Sequence, residues 1–185
     1  MNSENLKTEL DYIQNPVIKQ CVTEFLDNWV PEYFVQVAAS STGKYHPAYA
    51  LGEGGLLRHT KAAVRIAAGM FAITSYNQED RDVIIAALIL HDTFKHGKIQ
   101  QKYVCADHPV IAYRMVLEHM RDCPRYEDIA NAIHSHMGQW NTDYRTKREI
   151  MPKPKTNIEK FVHTCDYLAS RKYLEFNFDV EVDLR

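Results

Sequence analysis

The stretch DVIIAALILHDTFKHG, Asp82 to Gly97, decides how the rest of the chain is read. Val83, Ile84, Ala86, Ala87, Leu88 and Leu90 make it apolar on nearly every side, which predicts a helix buried inside a helical core. His91 and Asp92 close it. Adjacent ionisable groups at the end of a buried helix need a hydrogen bond, an ion pair or a metal. The pair therefore reads either as a salt-bridged cap or as part of a site.

Upstream, Leu56 opens a helix, LLRHTKAAVRIAAGMFAI, with a face of Leu56, Thr60, Ala63, Ala67 and Met70. That places His59 in its first turn or two. The preceding SSTGKYHPAYALGEGG, residues 40–55, is a loop by its Gly, Ser and Pro content. Its glycines turn the backbone into the His59 helix. No GK[ST] follows them, so they are not a phosphate-binding loop. Pro31 predicts a helix through Phe34, Val35 and Val37. Asn15-Pro16 reads as an N-cap and first helical residue, followed by the stripe Val17, Ile18, Cys21, Val22, Phe25 and Leu26. Residues 1–10 are polar, either frayed or a short helix.

Downstream, Asp107-His108-Pro109 starts a helix through Met115 and Met120, and Pro124 stops it. Another helix runs from Tyr126 to His136 and ends near Gly138. Residues 141–157 are polar and basic with two prolines, a long loop. Asn157 is placed as the cap of the last major helix, IEKFVHTCDYLASRKYLE. The tail alternates Phe176, Phe178, Val180 and Val182, the pattern of a short strand with no evident partner. The expected fold is an all-α bundle of about six or seven helices. It comprises a helical segment at 1–37, a core at 38–173 and a tail at 174–185.

The 185 residues suffice for one core, and 45% apolar content argues against disorder. A formal charge of -2, from 22 basic and 24 acidic groups, gives no global case for nucleic acid. Cysteines 21, 105, 123 and 165 form no CxxC pair and read as reduced thiols. The first residues, MNSENLKTEL, lack the apolar core of a secretion signal, and no window reaches membrane-span length. A cytoplasmic location and no membrane partner are expected. Dimerisation is left open.

Nine histidines is high for this length. His59, His91, Asp92, His108, His136 and Asp166 each fall near a helix end or in an apolar helix beside a loop. Imidazole with carboxylate suits zinc, iron, nickel or manganese. Singly they are weak. His59 reads equally as a core histidine and His108 as a cap. His134 and His136, two apart, point to different sides of a helix. Asp166 is the best local hint, since Phe161, Val162, Cys165, Leu168 and Ala169 surround it in sequence and an unpaired carboxylate there is costly.

GGLLRHT, LILHDTFKHG, DHPVIAYRMV, IHSHMG and CDYLASRK stand in the order of an HD-superfamily metal-dependent phosphohydrolase. The chain most resembles the HD domain of YhaM-like 3'-5' exoribonucleases over roughly residues 38–173. KYHPAYALGEGGLLRHT is similar to that family's histidine-containing loop, and HSHMG to its SHHG segment. The resemblance implies a first metal held by His59, His91, Asp92 and Asp166. It implies a second held by His108 and His136, with Asp92 bridging. The chain departs at Met137, where the family has a second histidine, and at Thr93-Phe94, where Ile-Gly is usual. A thioether is a poor ligand for such an ion, so the second site is expected to be the weaker. An alternative is one metal, with His108 and His136 on phosphate. The stretch carries no OB-type nucleic-acid domain, so processive RNA degradation is not expected.

The implied chemistry is hydrolysis of a phosphoester in a nucleotide or short oligonucleotide by metal-activated water. Asp92 and Lys95 are the candidate catalytic groups, with Lys95 also offsetting phosphate charge. His46, at the implied rim, and His96 are candidate substrate contacts. So are Arg145 and Lys147, on a basic loop interleaved with Trp140 and Tyr144, a pattern that fits phosphate contact with base stacking or a plain solvated loop. The competing class is a non-catalytic helical binding module with a structural metal.

Overall fold

The computed structural model describes residues 1–44, 46–143 and 145–180. Among these are seven α-helices and no strand. In chain order they are α1 (Lys7–Leu10), α2 (Pro16–Asn28), α3 (Gly55–Met70), α4 (Gln78–Leu90), α5 (His108–His119), α6 (Tyr126–Ser135) and α7 (Asn157–Ala169).

The apolar run does what its composition requires. Every residue from Asp82 to Leu90 is buried, and α2, α3, α6 and α7 all pack on α4. The remaining helices bury one stripe each. The α2 stripe is Ile18, Val22, Phe25 and Leu26, and α6 contributes Ile129, Ala130 and Ile133. Asn15 caps α2, its side chain accepting from the amides of Val17 and Ile18.

Three local expectations change, and of the two readings of residues 1–10 the short helix holds. The N-terminal residues are docked on the core. Leu6, Leu10 and Ile13 join the main core, and Asn2 donates to the carbonyls of Leu26 and Val30 at 3.1 and 2.9 Å. The Pro31 helix is a single 3-10 turn, Glu32–Val35. The carbonyls of Gln36 and Val37 accept instead from Gly54 and Leu56, which ends the turn and seats the start of α3. The cap of α7 is Thr156, whose hydroxyl accepts from Glu159 N at 3.2 Å, and Asn157 is the first helical residue. The tail forms no strand over 174–180. Arg65 binds the carbonyls of Phe178 and Val180, both at 3.2 Å, and the rings of Phe176 and Phe178 lie against Tyr49. The alternation is used, but side chains take the place of a partner strand. Val182 lies outside the described residues. The 141–156 connection is pinned by one antiparallel bridge, Thr142 to Glu149.

Candidate metal centre

Five chain segments deliver the site. His59 sits one turn into α3. That helix can start where it does because Gly54 takes φ +69° and a side chain at Gly55 would run into the Ala50 backbone. His91 and Asp92 follow α4 directly, in a turn held by Lys95 N to Asp92 O and Gly97 N to Phe94 O. Phe94 anchors this turn in the core edge-on to Phe25, and the Tyr33 hydroxyl donates to Gly97 O at 2.6 Å. His108 is the first residue of α5, His136 directly follows α6, and Asp166 lies in α7.

The side chains form two groups that share Asp92. One is His59, His91, Asp92 and Asp166. The other is Asp92, His108 and His136. Within each group the ligand atoms lie within 4.8 Å of one another. The two carboxylate oxygens divide the work. Asp92 Oδ2 is 3.6 Å from His59 Nε2 and 3.4 Å from His91 Nε2. Asp92 Oδ1 is 2.9 Å from His108 Nε2 and 3.6 Å from His136 Nε2. Asp166 Oδ1 completes the first group at 2.9 Å from His59 and 3.5 Å from His91. Bonds of ~2.1 Å to one ion would put neighbouring ligand atoms about 3.0 Å apart in an octahedron and about 3.4 Å apart in a tetrahedron.

The ring orientations make the case for a cation. His91, His108 and His136 each place Nδ1 2.7 Å from a backbone carbonyl three residues back, those of Leu88, Cys105 and Ile133. An Nδ1–H donates there, so Nε2 is the nitrogen left facing Asp92. Burial pushes the His108 imidazole below its usual pKa, leaving the ring neutral and Nε2 a bare lone pair. That lone pair faces a carboxylate oxygen at 2.9 Å, and neither atom has a hydrogen bond. His91 Nε2 is likewise buried without one. Lone pairs converging on one another inside a protein are costly unless a positive charge lies between them. The donor set, imidazole and carboxylate without thiolate, fits a divalent ion.

Without an ion, protonated side chains supply positive charge to the carboxylates. Burial would raise the Asp92 carboxyl, but the Lys95 ammonium and His91 hold it well below the ordinary carboxylate range. Asp166 is kept low against burial by its hydrogen bond with His59 and by the neighbouring His91. Burial disfavours a protonated His91, yet Asp92 and Asp166 outweigh it and lift the ring to about 10. Lys95 Nζ contacts Asp92 Oδ2 directly.

The other candidates separate. His46 brings its ring to 5.3 Å from that of His59, and burial with the neighbouring positive groups pushes it down to about 3. His96 is buried, its Nδ1 at 2.9 Å from Gln101 O and its Nε2 without a partner. Arg145 and Lys147 lie on the exposed 141–156 connection. His134 turns away from the centre and stacks on Tyr113, as the two-residue spacing from His136 requires. Two contributors went unread in the sequence. His163 places Nδ1 2.6 Å from His136 O, and Tyr33 braces the HD turn through Gly97 and the His96 amide. The His163 signal was available, since it stands three residues before Asp166 and therefore on the same helical face.

A family model described as the HD domain matches residues 56–171, more than half of the chain. The chain belongs to the HD domain family. Comparison with curated proteins and with solved structures finds no match. The matched span begins at the first residues of α3 and ends just past α7, so it contains all six residues of the two groups.

Proposed function

We propose that this protein is a metal-dependent hydrolase of phosphoester bonds, acting on a nucleotide or a short oligonucleotide. The observation that carries the reading is Asp92, whose two buried oxygens each face a separate histidine set, with Oδ1 in lone-pair contact with His108 rather than hydrogen-bonded. His59, His91, Asp92 and Asp166 would hold one divalent ion, and Asp92, His108 and His136 a second. Manganese, iron, nickel and zinc all suit these donors. The second set has one ligand fewer, since Met137 offers only a thioether, and so binds the more weakly. When bound, such ions lower the pKa of water and polarise a phosphoryl oxygen.

The chain's own groups supply the rest. Asp92 orients both histidine sets. Lys95, already on Asp92, carries the cation that offsets charge on a phosphoryl group. His46 stays neutral at physiological pH and presents a ring nitrogen for hydrogen bonding at the edge of the centre. His96 offers its unpartnered Nε2, and Arg145 and Lys147 supply positive charge from the outer loop. The likeness of KYHPAYALGEGGLLRHT and HSHMG to YhaM-like exoribonucleases supports a nucleotide-type substrate.

The test is metal analysis of protein purified without chelator, followed by a hydrolysis screen of mononucleotides, cyclic dinucleotides and short RNA and DNA. Bound metal together with release of phosphate or nucleotide is expected. Bound metal with no turnover on any of these would favour the binding module instead.

A further inference from the structure

The side chains of the metal centre differ in exposure. Of its six side chains, five are at most 1% exposed, whereas Asp166 is 17% exposed. Asp166 is thus the member of the centre most open to solvent. The next residue, Tyr167, lies under Trp140, with ring centroids 5.7 Å apart and planes 14° from parallel. The Arg171 guanidinium sits 4.2 Å from the Tyr167 ring centroid and is fixed by Tyr167 O at 3.2 Å and Ser170 Oγ at 2.7 Å. Trp140 itself is 47% exposed.

We propose that Trp140, backed by Tyr167 and Arg171, is a nucleobase-stacking platform that makes the site select base-bearing phosphoesters over bare sugar phosphates. This rests on the phosphohydrolase reading and names what that site would recognise beyond the phosphate.

Three observations carry it. The first is position. Trp140 stands four residues after His136, on the 3-10 turn Gly138–Trp140, and Tyr167 directly follows Asp166. The platform thus grows out of two ligand-bearing segments, one of which carries the most exposed of the six side chains. The second is pre-organisation. The turn is set by Gly138 at φ +58°, where any side chain would strike the His163 ring, and that ring is bonded to His136 O. Holding an indole parallel to a clamped tyrosine leaves little rotamer freedom to lose when a flat ligand stacks. The third is contrast with the other tryptophan. Trp29 is equally exposed at 46%, but it stacks on His119 at the far end of α5 from His108, about 16 Å along that helix. An exposed indole alone is ordinary. One stacked beside the open ligand is a binding surface.

The experiment uses Trp29→Phe, which leaves Trp140 as the one tryptophan. The metal-loaded protein is titrated with the non-hydrolysable phosphonate analogues of AMP and of ribose 5-phosphate, following tryptophan emission. Quenching by the AMP analogue alone is expected. Calorimetry on Trp140→Ala should show affinity for the AMP analogue reduced roughly ten-fold or more, with the ribose 5-phosphate analogue unchanged. Trp140→Tyr, which keeps a ring face, should recover most of the loss. Equal affinity for both analogues, or no effect of Trp140→Ala, overturns the proposal. If the AMP analogue quenches but no phosphoester is hydrolysed, the platform stands and the hydrolase reading falls. Hydrolysis of ribose 5-phosphate as fast as AMP, without quenching, removes the platform and leaves the hydrolase standing.

Discussion

Two buried aspartates flank the apolar run of α4, Asp82 within the helix and Asp92 just past it, and the two behave oppositely. Asp82 is 1% exposed. It accepts from the amides of Gln14 and Asn15 at 2.9 and 2.8 Å and from Gln78 Nε2 at 2.9 Å. Its charge is met by donors, so it ties the α1–α2 connection to the core. Asp92, ten residues on, is 0% exposed and has a donor, Lys95, on Oδ2, while Oδ1 faces the Nε2 atoms of His108 and His136, whose Nδ1 atoms are turned to backbone carbonyls. Burial alone thus says nothing about function. What distinguishes a site is a buried acid with an oxygen that no neighbour donates to.

The sharpest way to break this contrast is to remove each acid. Asp92→Ala should abolish metal binding and lower hydrolysis by well over about 100-fold, since even groups behind the ligands are worth about 10–100-fold. Full metal content in that variant would end the assignment. Asp82→Ala should leave metal stoichiometry unchanged but cost about 2–3 kcal/mol, because two part-buried backbone amides and the Gln78 side chain lose their acceptor. Urea unfolding measures that loss, and a parallel loss of metal would erase the distinction between the two ends.

Protons supply a third, smaller handle. His91 in the metal-free protein is held protonated up to about 10, against an ordinary 6.5. Its ion pairs contribute fully below about 6.5, and the contribution fades as pH rises through about 10. Metal must displace that proton. Manganese affinity at the first site should therefore rise with pH between those limits, approaching about ten-fold per unit for one proton released. Isotherms in buffers of different ionisation enthalpy count the proton, and a flat profile would show that His91 enters the site already neutral. The smallest effect is expected at His163, a positioning residue. His163→Ala should weaken the weaker of two manganese binding events about ten-fold and spare the stronger. Equal weakening of both would point to a general loss of α7 packing.

The contrast also marks what the sequence could convey. The Asp82–Leu90 run and the order of histidines after it were legible because apolar periodicity and residue type survive in one dimension. So did the split between His134 and His136. The support for Asp92 did not, because each Nδ1 is fixed by a backbone carbonyl, which no side-chain pattern records. Residues 1–10 read as frayed or a short helix, and what decides for the helix is Asn2 bound to backbone carbonyls and Glu9 buried with Arg65 at 3.4 Å. Thr156 and Asn157 are both acceptable caps by residue type, and only the backbone of Thr156 is extended as a cap requires. In the tail, alternation was legible but its partner, Arg65, was not.

The closing of the centre has a kinetic side. His59 and Asp166 lie 2.9 Å apart but 107 positions apart along the chain, so the loop joining them must shut before four ligands exist together. Such long-range pairings are slow to form, because the chain gives up loop entropy before the contact rewards it. Where that encounter is made after the transition state for folding, an ion bound here grips it only in the native state. It should slow escape from the native state and leave the rate of arrival nearly untouched. The resting concentration of metal around the protein would then set how long a folded molecule lasts, not how quickly a new one is made.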